Sequence, residues 1–307
     1  MEIKKINIFF PIFILAYIGI SMLLSLVVSI TGVQLPLWLL YLLNDVILLL
    51  IVIVYMAIEK IGLIRDIPYR KIRPVDALLS IIAGYALIPM MLFISNVSML
   101  FSTNYFEQSA IEIMTLPFIV RILLIAVAPA IVEELIFRGV FFGAYKQGGV
   151  LKAILMSGLV FGLFHLNLNQ FCYATIMGFV FALLIEATGT IWSSVLAHFA
   201  VNTYSVIMMQ LMSTAQSGAA GDLIDNASNT SLTDYPVTVI IIQLVILMMV
   251  ALGFMFIAYL CIKKMAVRNQ RYEYIRSLKF KSEVRTATVP FLVTALACVI
   301  YMILIEL

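Results

Sequence analysis

Residues 117–142 read PFIVRILLIAVAPAIVEELIFRGVFF, an apolar run long enough to cross a lipid bilayer. Two adjacent acids, Glu133 and Glu134, lie inside it, and Arg138 follows them. The only two histidines of the chain, His165 and His198, also lie in apolar stretches. Ionisable groups are costly in hydrocarbon and are rarely kept there without a function. Three such clusters within roughly 70 residues therefore indicate a site inside the membrane.

The composition indicates an integral membrane protein. Hydrophobic residues make up 64% of the chain and charged residues 11%, whereas soluble domains have about 45–50% and 25%. We predict an all-α, polytopic transmembrane helix bundle of eight to nine spans, with a polar intramembrane cavity open to the cytoplasm. Nine apolar stretches are candidate spans: 7–30, 37–58, 75–100, 117–142, 150–166, 170–187, 190–212, 236–262 and 288–306.

The distribution of basic residues predicts the orientation. Of 19 Lys and Arg, 17 lie at the N-terminus or in loops 59–74, 143–152 and 263–287. The alternate loops, 31–36, 101–116 and 213–235, have no Lys or Arg. By the positive-inside rule the N-terminus is cytoplasmic and the C-terminus lies outside, in a multi-pass protein of the plasma membrane. The acids of the outer loops are Glu107, Glu112, Asp222, Asp225 and Asp234.

Three regions follow from the spans and the polar clusters. Region 1–116 holds three N-terminal spans, and region 117–212 holds the candidate catalytic core. Region 213–307 consists of a polar outside loop and two C-terminal spans joined by a basic cytoplasmic loop. We expect that basic loop to contact anionic lipid headgroups and not nucleic acid.

The two glutamates are predicted to differ in role. Residues four apart share one face of an α-helix, so Glu134 can pair with Arg138. Glu133 points about 100° away and has no cation nearby in the sequence. An unpaired carboxylate in a low-dielectric pocket suits a general base. A purely structural role, in which both acids and the arginine hold helices together, stays open at this point.

The two histidines are each joined by a neighbour on the same helix face. Phe161 and His165 are four apart, and so are His198 and Asn202. An imidazole together with an amide suits the stabilisation of negative charge on a carbonyl oxygen. Interhelical hydrogen bonding without catalysis is the alternative for each pair.

These motifs resemble those of a known family. APAIVEELIFRG at 128–139, FGLFHL at 161–166 and AHFAVN at 197–202 occur in this order. Together they closely resemble the CAAX-protease and bacteriocin-processing family, the type II CAAX or Abi group of intramembrane endopeptidases. The resemblance covers about 128–203 and implies a compact helix bundle around a polar cavity.

The resemblance also implies roles for individual residues. Glu133 would activate water, and His165 would help to hold that water. His198 and Asn202 would form the oxyanion site, while Glu134, Arg138 and Phe161 support the catalytic helix. Two cofactor hypotheses stay open: hydrolysis without a metal, and a zinc ion held by Glu133, His165 and His198.

The sequence thus predicts an intramembrane endopeptidase. We expect it to hydrolyse a peptide bond of a membrane-associated peptide or protein near the cytoplasmic face, within the lipid bilayer. Two other classes of protein remain as alternatives. Buried acids and histidines also serve proton-coupled transporters, and a non-catalytic membrane scaffold or immunity protein is the third hypothesis.

Overall fold

The computed structural model describes residues 2–103, 113–216, 236–280 and 284–307. Every regular element within these ranges is a helix. The acids that define the predicted outer loops, Glu107, Glu112, Asp222, Asp225 and Asp234, lie outside the described residues.

Seven described helices are long and apolar enough to cross a membrane. Each coincides with a predicted span to within a few residues, so the prediction of a polytopic helical bundle is confirmed. They are α1 (Ile3–Thr31), α2 (Leu37–Ile58), α4 (Pro74–Ser98), α9 (Leu168–Thr188), α10 (Trp192–Gln216), α11 (Val237–Arg268) and α13 (Val289–Glu306). Two short helices, α3 (Leu63–Asp66) and α12 (Tyr272–Arg276), lie in the predicted cytoplasmic loops.

The two remaining predicted spans differ from the expectation of continuous membrane helices. The segment that follows Pro117 alternates between α-helical and π-helical hydrogen bonding. Its three α-helical pieces are α5 (Phe118–Arg121), α6 (Ala128–Glu134) and α7 (Phe142–Tyr145). The π turns Ile122–Val127 and Leu135–Phe141 separate them. The other span is the shorter helix α8 (Val150–Phe164), which has 15 residues. The total of nine spans therefore stays a prediction beyond these seven helices.

Close helix crossings hold the core together at glycines. A methyl group on Gly84 of α4 would lie 2.4 Å from the carbonyl oxygen of Ala197 in α10. One on Gly178 of α9 would lie 2.6 Å from the Cα of Gly158 in α8. Only glycine permits such backbone contact. The first crossing places α10 against α4 next to His198, and the second brings α9 against α8 beside Arg138.

Ion pairs cluster at the end of the bundle where the basic segments lie. Lys146 and Arg271 both contact the buried Glu186, at 2.6 and 2.9 Å. Arg268 contacts Asp76 at 3.2 Å. These pairs join α4, α9 and α11 and the end of the segment Phe118–Tyr145 at one face. Which side of the membrane this face occupies stays a prediction.

Candidate active site

The two glutamates end a short α-helical segment that lies between two π turns. Helix α6 closes at Glu134, and the second π turn begins at Leu135. A π turn inserts a residue and shifts the side chains that follow to a new direction, and such turns are frequent at functional sites. The second π turn contains Arg138, which still meets Glu134 four residues earlier, as the sequence predicts.

Glu134, Arg138 and His198 form a buried charged cluster. Arg138 Nη1 lies 3.0 Å from Glu134 Oε1, and both side chains are fully buried. The same carboxylate oxygen lies 3.0 Å from His198 Nδ1. A carboxylate only accepts hydrogen bonds, so the proton of this contact is on Nδ1. Glu134 therefore pairs with the arginine of its own segment and orients the imidazole of α10.

Glu133 is the more accessible carboxylate of the two. Its side chain is 14% exposed, whereas that of Glu134 is 0% exposed. Its Oε2 lies 3.8 Å from His198 Nε2, the ring nitrogen that Glu134 leaves unoccupied. His198 is thus placed between two carboxylates, one fully buried and paired with arginine and one partly exposed.

Two phenylalanines pack around the charged cluster. The guanidinium of Arg138 lies over the Phe161 ring at 4.2 Å and near the Phe181 ring at 5.2 Å. Phe181 also stacks on His198, with ring centroids 5.2 Å apart. Aromatic faces attract cations and exclude water. Phe161 was predicted as a supporting residue; Phe181 was missed, since one phenylalanine in an apolar helix carries no distinguishing pattern.

His165 approaches the cluster indirectly. Its ring meets the Phe161 ring at 4.9 Å, and His198 meets the same ring at 5.7 Å. Its Nδ1 donates to the Phe161 carbonyl at 2.8 Å, which leaves a lone pair on Nε2. Within the described residues no ion pair joins His165 to Glu133, and the Phe161 ring links His165 to His198.

A cavity of about 280 Å³ lies beside His165 and is lined by Gln170 of α9 and Glu306 of α13. It lies at the far end of α8 from Lys152 and the basic segments. The predicted opening of the site toward the cytoplasm is not established by this cavity and stays a prediction.

Asn202 lies one turn after His198 on α10, at the spacing that the sequence predicts. Its Nδ2 donates to the carbonyl oxygen of Ile125 at 3.1 Å. An amide nitrogen carries two N–H groups, so this bond fixes the amide plane and leaves a second donor. That second N–H could bind a developing oxyanion.

Helices α1 and α2 add polar groups that sequence reasoning left out of the candidate site. Asp45 is buried and is close enough to Glu133 for the two carboxyl groups to interact electrostatically. Tyr17 interacts with Glu133 in the same way and donates to Asn44. A buried acid inside a membrane span was the available signal for Asp45.

The donors do not assemble into a metal site. Across 2–103, 113–216, 236–280 and 284–307, no group of three or more His, Cys, Asp or Glu side chains is arranged to hold an ion. The hypothetical zinc ligands Glu133, His165 and His198 do not form such a group, and the Phe161 ring packs against both imidazoles. We therefore assign no step to a metal.

Comparisons with known proteins agree with the predicted resemblance. Residues 115–204 match the family model described as type II CAAX prenyl endopeptidase Rce1-like. The chain is also 40% identical over 88 residues to the Putative membrane peptidase YdiL of Bacillus subtilis strain 168, across 28% of this chain and 36% of that protein. The match thus spans about a third of the length of this relative. No solved structure matches the chain significantly.

The matched segment contains all seven predicted site residues. The resemblance to CAAX-type membrane endopeptidases is therefore confirmed for residues 115–204. The comparisons support a multi-pass membrane protein with a peptidase domain. The roles of the individual side chains are not tested by these comparisons.

Proposed function

We propose that this protein is an intramembrane endopeptidase that hydrolyses a peptide bond of a membrane-associated peptide or protein by glutamate-activated water. The observation that carries the proposal is the arrangement of four side chains. Glu133 is partly exposed and lies 3.8 Å from His198 Nε2, while Arg138 pairs with the neighbouring Glu134. One carboxylate is thus neutralised in place, and the other is available to a water molecule.

The reaction proceeds through a tetrahedral intermediate. Glu133 takes a proton from water, and the hydroxide attacks the carbonyl carbon of the substrate. The second N–H of Asn202 stabilises the oxyanion, together with His198 Nε2 when that nitrogen carries a proton. Glu133 then gives its proton to the leaving amine as the C–N bond breaks. His165, through the Nε2 lone pair, helps to hold the attacking water.

The position of the site favours cleavage near the basic face of the bundle. Helix α10 begins at Trp192 beside Thr190, whose hydroxyl donates to the Arg70 carbonyl at 2.6 Å. His198 lies six residues further, about 9 Å along the helix. With the N-terminus in the cytoplasm, as the basic loops predict, this half of the plasma membrane is the cytoplasmic one.

The test is cleavage of quenched fluorescent peptides by the full chain in proteoliposomes. The panel includes a prenylated CAAX peptide, since that is the substrate named for the matched family, and an unlipidated peptide of the same sequence. We expect Glu133→Gln to lose at least about 1,000-fold in kcat, because the amide cannot accept the proton from water. Cleavage at the wild-type rate by Glu133→Gln would refute the role of this residue.

Glu59→Gln is the matched control. Glu59 also lies in an ion pair, with Lys5, but at the end of α2 and away from His198. The Glu59→Gln variant should cleave the peptides at the wild-type rate. Proton-coupled uptake by the reconstituted protein, without cleavage of any peptide, would favour the transporter alternative.

A further inference from the structure

The amide of Asn202 is anchored by a backbone carbonyl of the segment Phe118–Tyr145. Its Nδ2 donates to Ile125 O at 3.1 Å. A carbonyl in an α-helix normally accepts from the N–H four residues later. For Ile125 that residue is Pro129, which has no N–H. At four-residue spacing this carbonyl therefore has no donor, whereas at the five-residue spacing of Ile122–Val127 its donor would be the N–H of Ala130.

The change of helix register at the same place adds to this shortage of donors. The N–H of Ala128 donates to Leu123 O, five residues back. The four-residue spacing returns within Ala128–Glu134. Where the spacing of the backbone hydrogen bonds changes from five residues to four, one carbonyl is left without an N–H donor. Because Pro129 removes one more donor, the carbonyls of this turn outnumber its amides. Water is scarce in the membrane interior, so a hydrogen bond from a side chain to a free carbonyl is favourable there.

We infer that Pro129 is a positioning residue for the oxyanion site. It withholds an N–H from Ile125 O, which then binds Nδ2 of Asn202 and fixes the orientation of the amide. The second N–H of Asn202 is thereby held toward the side of α10 that carries His198. The catalytic part of this inference rests on the proposed function.

The experiment is a double-mutant cycle of Pro129→Ala and Asn202→Ala in the full chain. Alanine at 129 supplies the missing N–H, which competes for Ile125 O and releases the amide. With the fluorescent peptide that the wild type cleaves best, we expect Pro129→Ala to lower kcat about 10-fold and to leave KM unchanged. In the Asn202→Ala background the same change should lower kcat no further.

Two further variants separate the N–H from other effects of the substitution. Replacement of Pro129 by lactic acid, the ester analogue of alanine, removes the ring but adds no N–H, and it should keep the wild-type kcat. Pro11→Ala, a change at the interior proline of α1, is the matched control and should also keep it.

Thermal unfolding of the four proteins of the cycle tests the contact independently of cleavage. Pro129→Ala should raise the Tm of Asn202→Ala more than it raises that of the wild type, because only the former has an unsatisfied Ile125 carbonyl. Absence of any peptide cleavage would count against the proposed function alone, since this Tm difference would still support the contact.

The inference would be overturned if Pro129→Ala lowered kcat equally in the wild type and in the Asn202→Ala background, or left kcat unchanged. Additive Tm shifts of the two substitutions would overturn it too. A lactic acid variant as impaired as Pro129→Ala would overturn it as well, since the ring and not the N–H would then be responsible.

Discussion

The buried pair of Glu134 and Arg138 predicts a large and specific loss of stability when one partner is removed. We consider Arg138→Leu, which replaces the charged guanidinium with an apolar side chain. Glu134 would then keep its contact with His198 at 3.0 Å but lose its arginine at 3.0 Å. Its carboxylate would remain in a fully buried site with no cation built to neutralise it, held by His198 and Ser194.

The magnitude follows from the burial of both groups. Removing one member of a buried ion pair costs about 3–5 kcal/mol, because the other charge is left uncompensated. Loss of the cation–π contacts with Phe161 and Phe181 adds about 1–2 kcal/mol. When Glu134→Gln is combined with Arg138→Leu, no charge is left uncompensated. The double variant should therefore be more stable than Arg138→Leu by at least about 2 kcal/mol.

Equilibrium unfolding in mixed detergent micelles measures these differences, with the two native tryptophans, Trp38 and Trp192, as fluorescence reporters. Arg65→Leu is the control, since its pair with Asp66 is solvent-exposed and its loss should leave stability unchanged. A double variant that loses as much as the two single variants added together would refute the reasoning. The two side chains would then not depend on each other.

Two further predictions concern the helix crossing at His198 and the cofactor. Gly84→Ala should destabilise the protein by about 1–3 kcal/mol and lower kcat, because its methyl group would meet the Ala197 backbone at 2.4 Å; Gly253→Ala, with open space around it, is the control, and equal Tm values for both would contradict this packing argument. Peptide cleavage should persist after treatment with a chelator, because Glu133, His165 and His198 do not form a metal-binding group; a loss that added zinc reverses would contradict this and favour the metal hypothesis.

Sequence patterns identified most of the fold because the bilayer imposes length and polarity on each helix. Seven predicted spans are found as long helices. The contact between Glu134 and Arg138 was also predictable, since residues four apart meet on one helix face. The order of motifs identified the resemblance that the comparisons confirm for residues 115–204.

The broken helix geometry of the segment Phe118–Tyr145 was not predictable in the same way. Pro129 signals a disturbed helix, but the two π turns around α6 depend on packing against neighbouring helices. The contribution of Phe181 was also hidden, and that of Asp45 was signalled only by an acid inside a membrane span. Periodicity describes one helix at a time, and both residues come from helices without a motif of their own.

The sequence by itself determined that this chain is a membrane helix bundle and which polar residues belong to its candidate site, because the cost of burying charge in lipid marks them. Only the tertiary structure decided which of these side chains from separate helices contact one another. It adds His198 to the pair of Glu134 and Arg138, places Glu133 at 3.8 Å from His198 Nε2, and sets Asn202 on the Ile125 carbonyl. These contacts join separate segments of the chain, and their distances depend on helix crossings and register changes that no local pattern encodes.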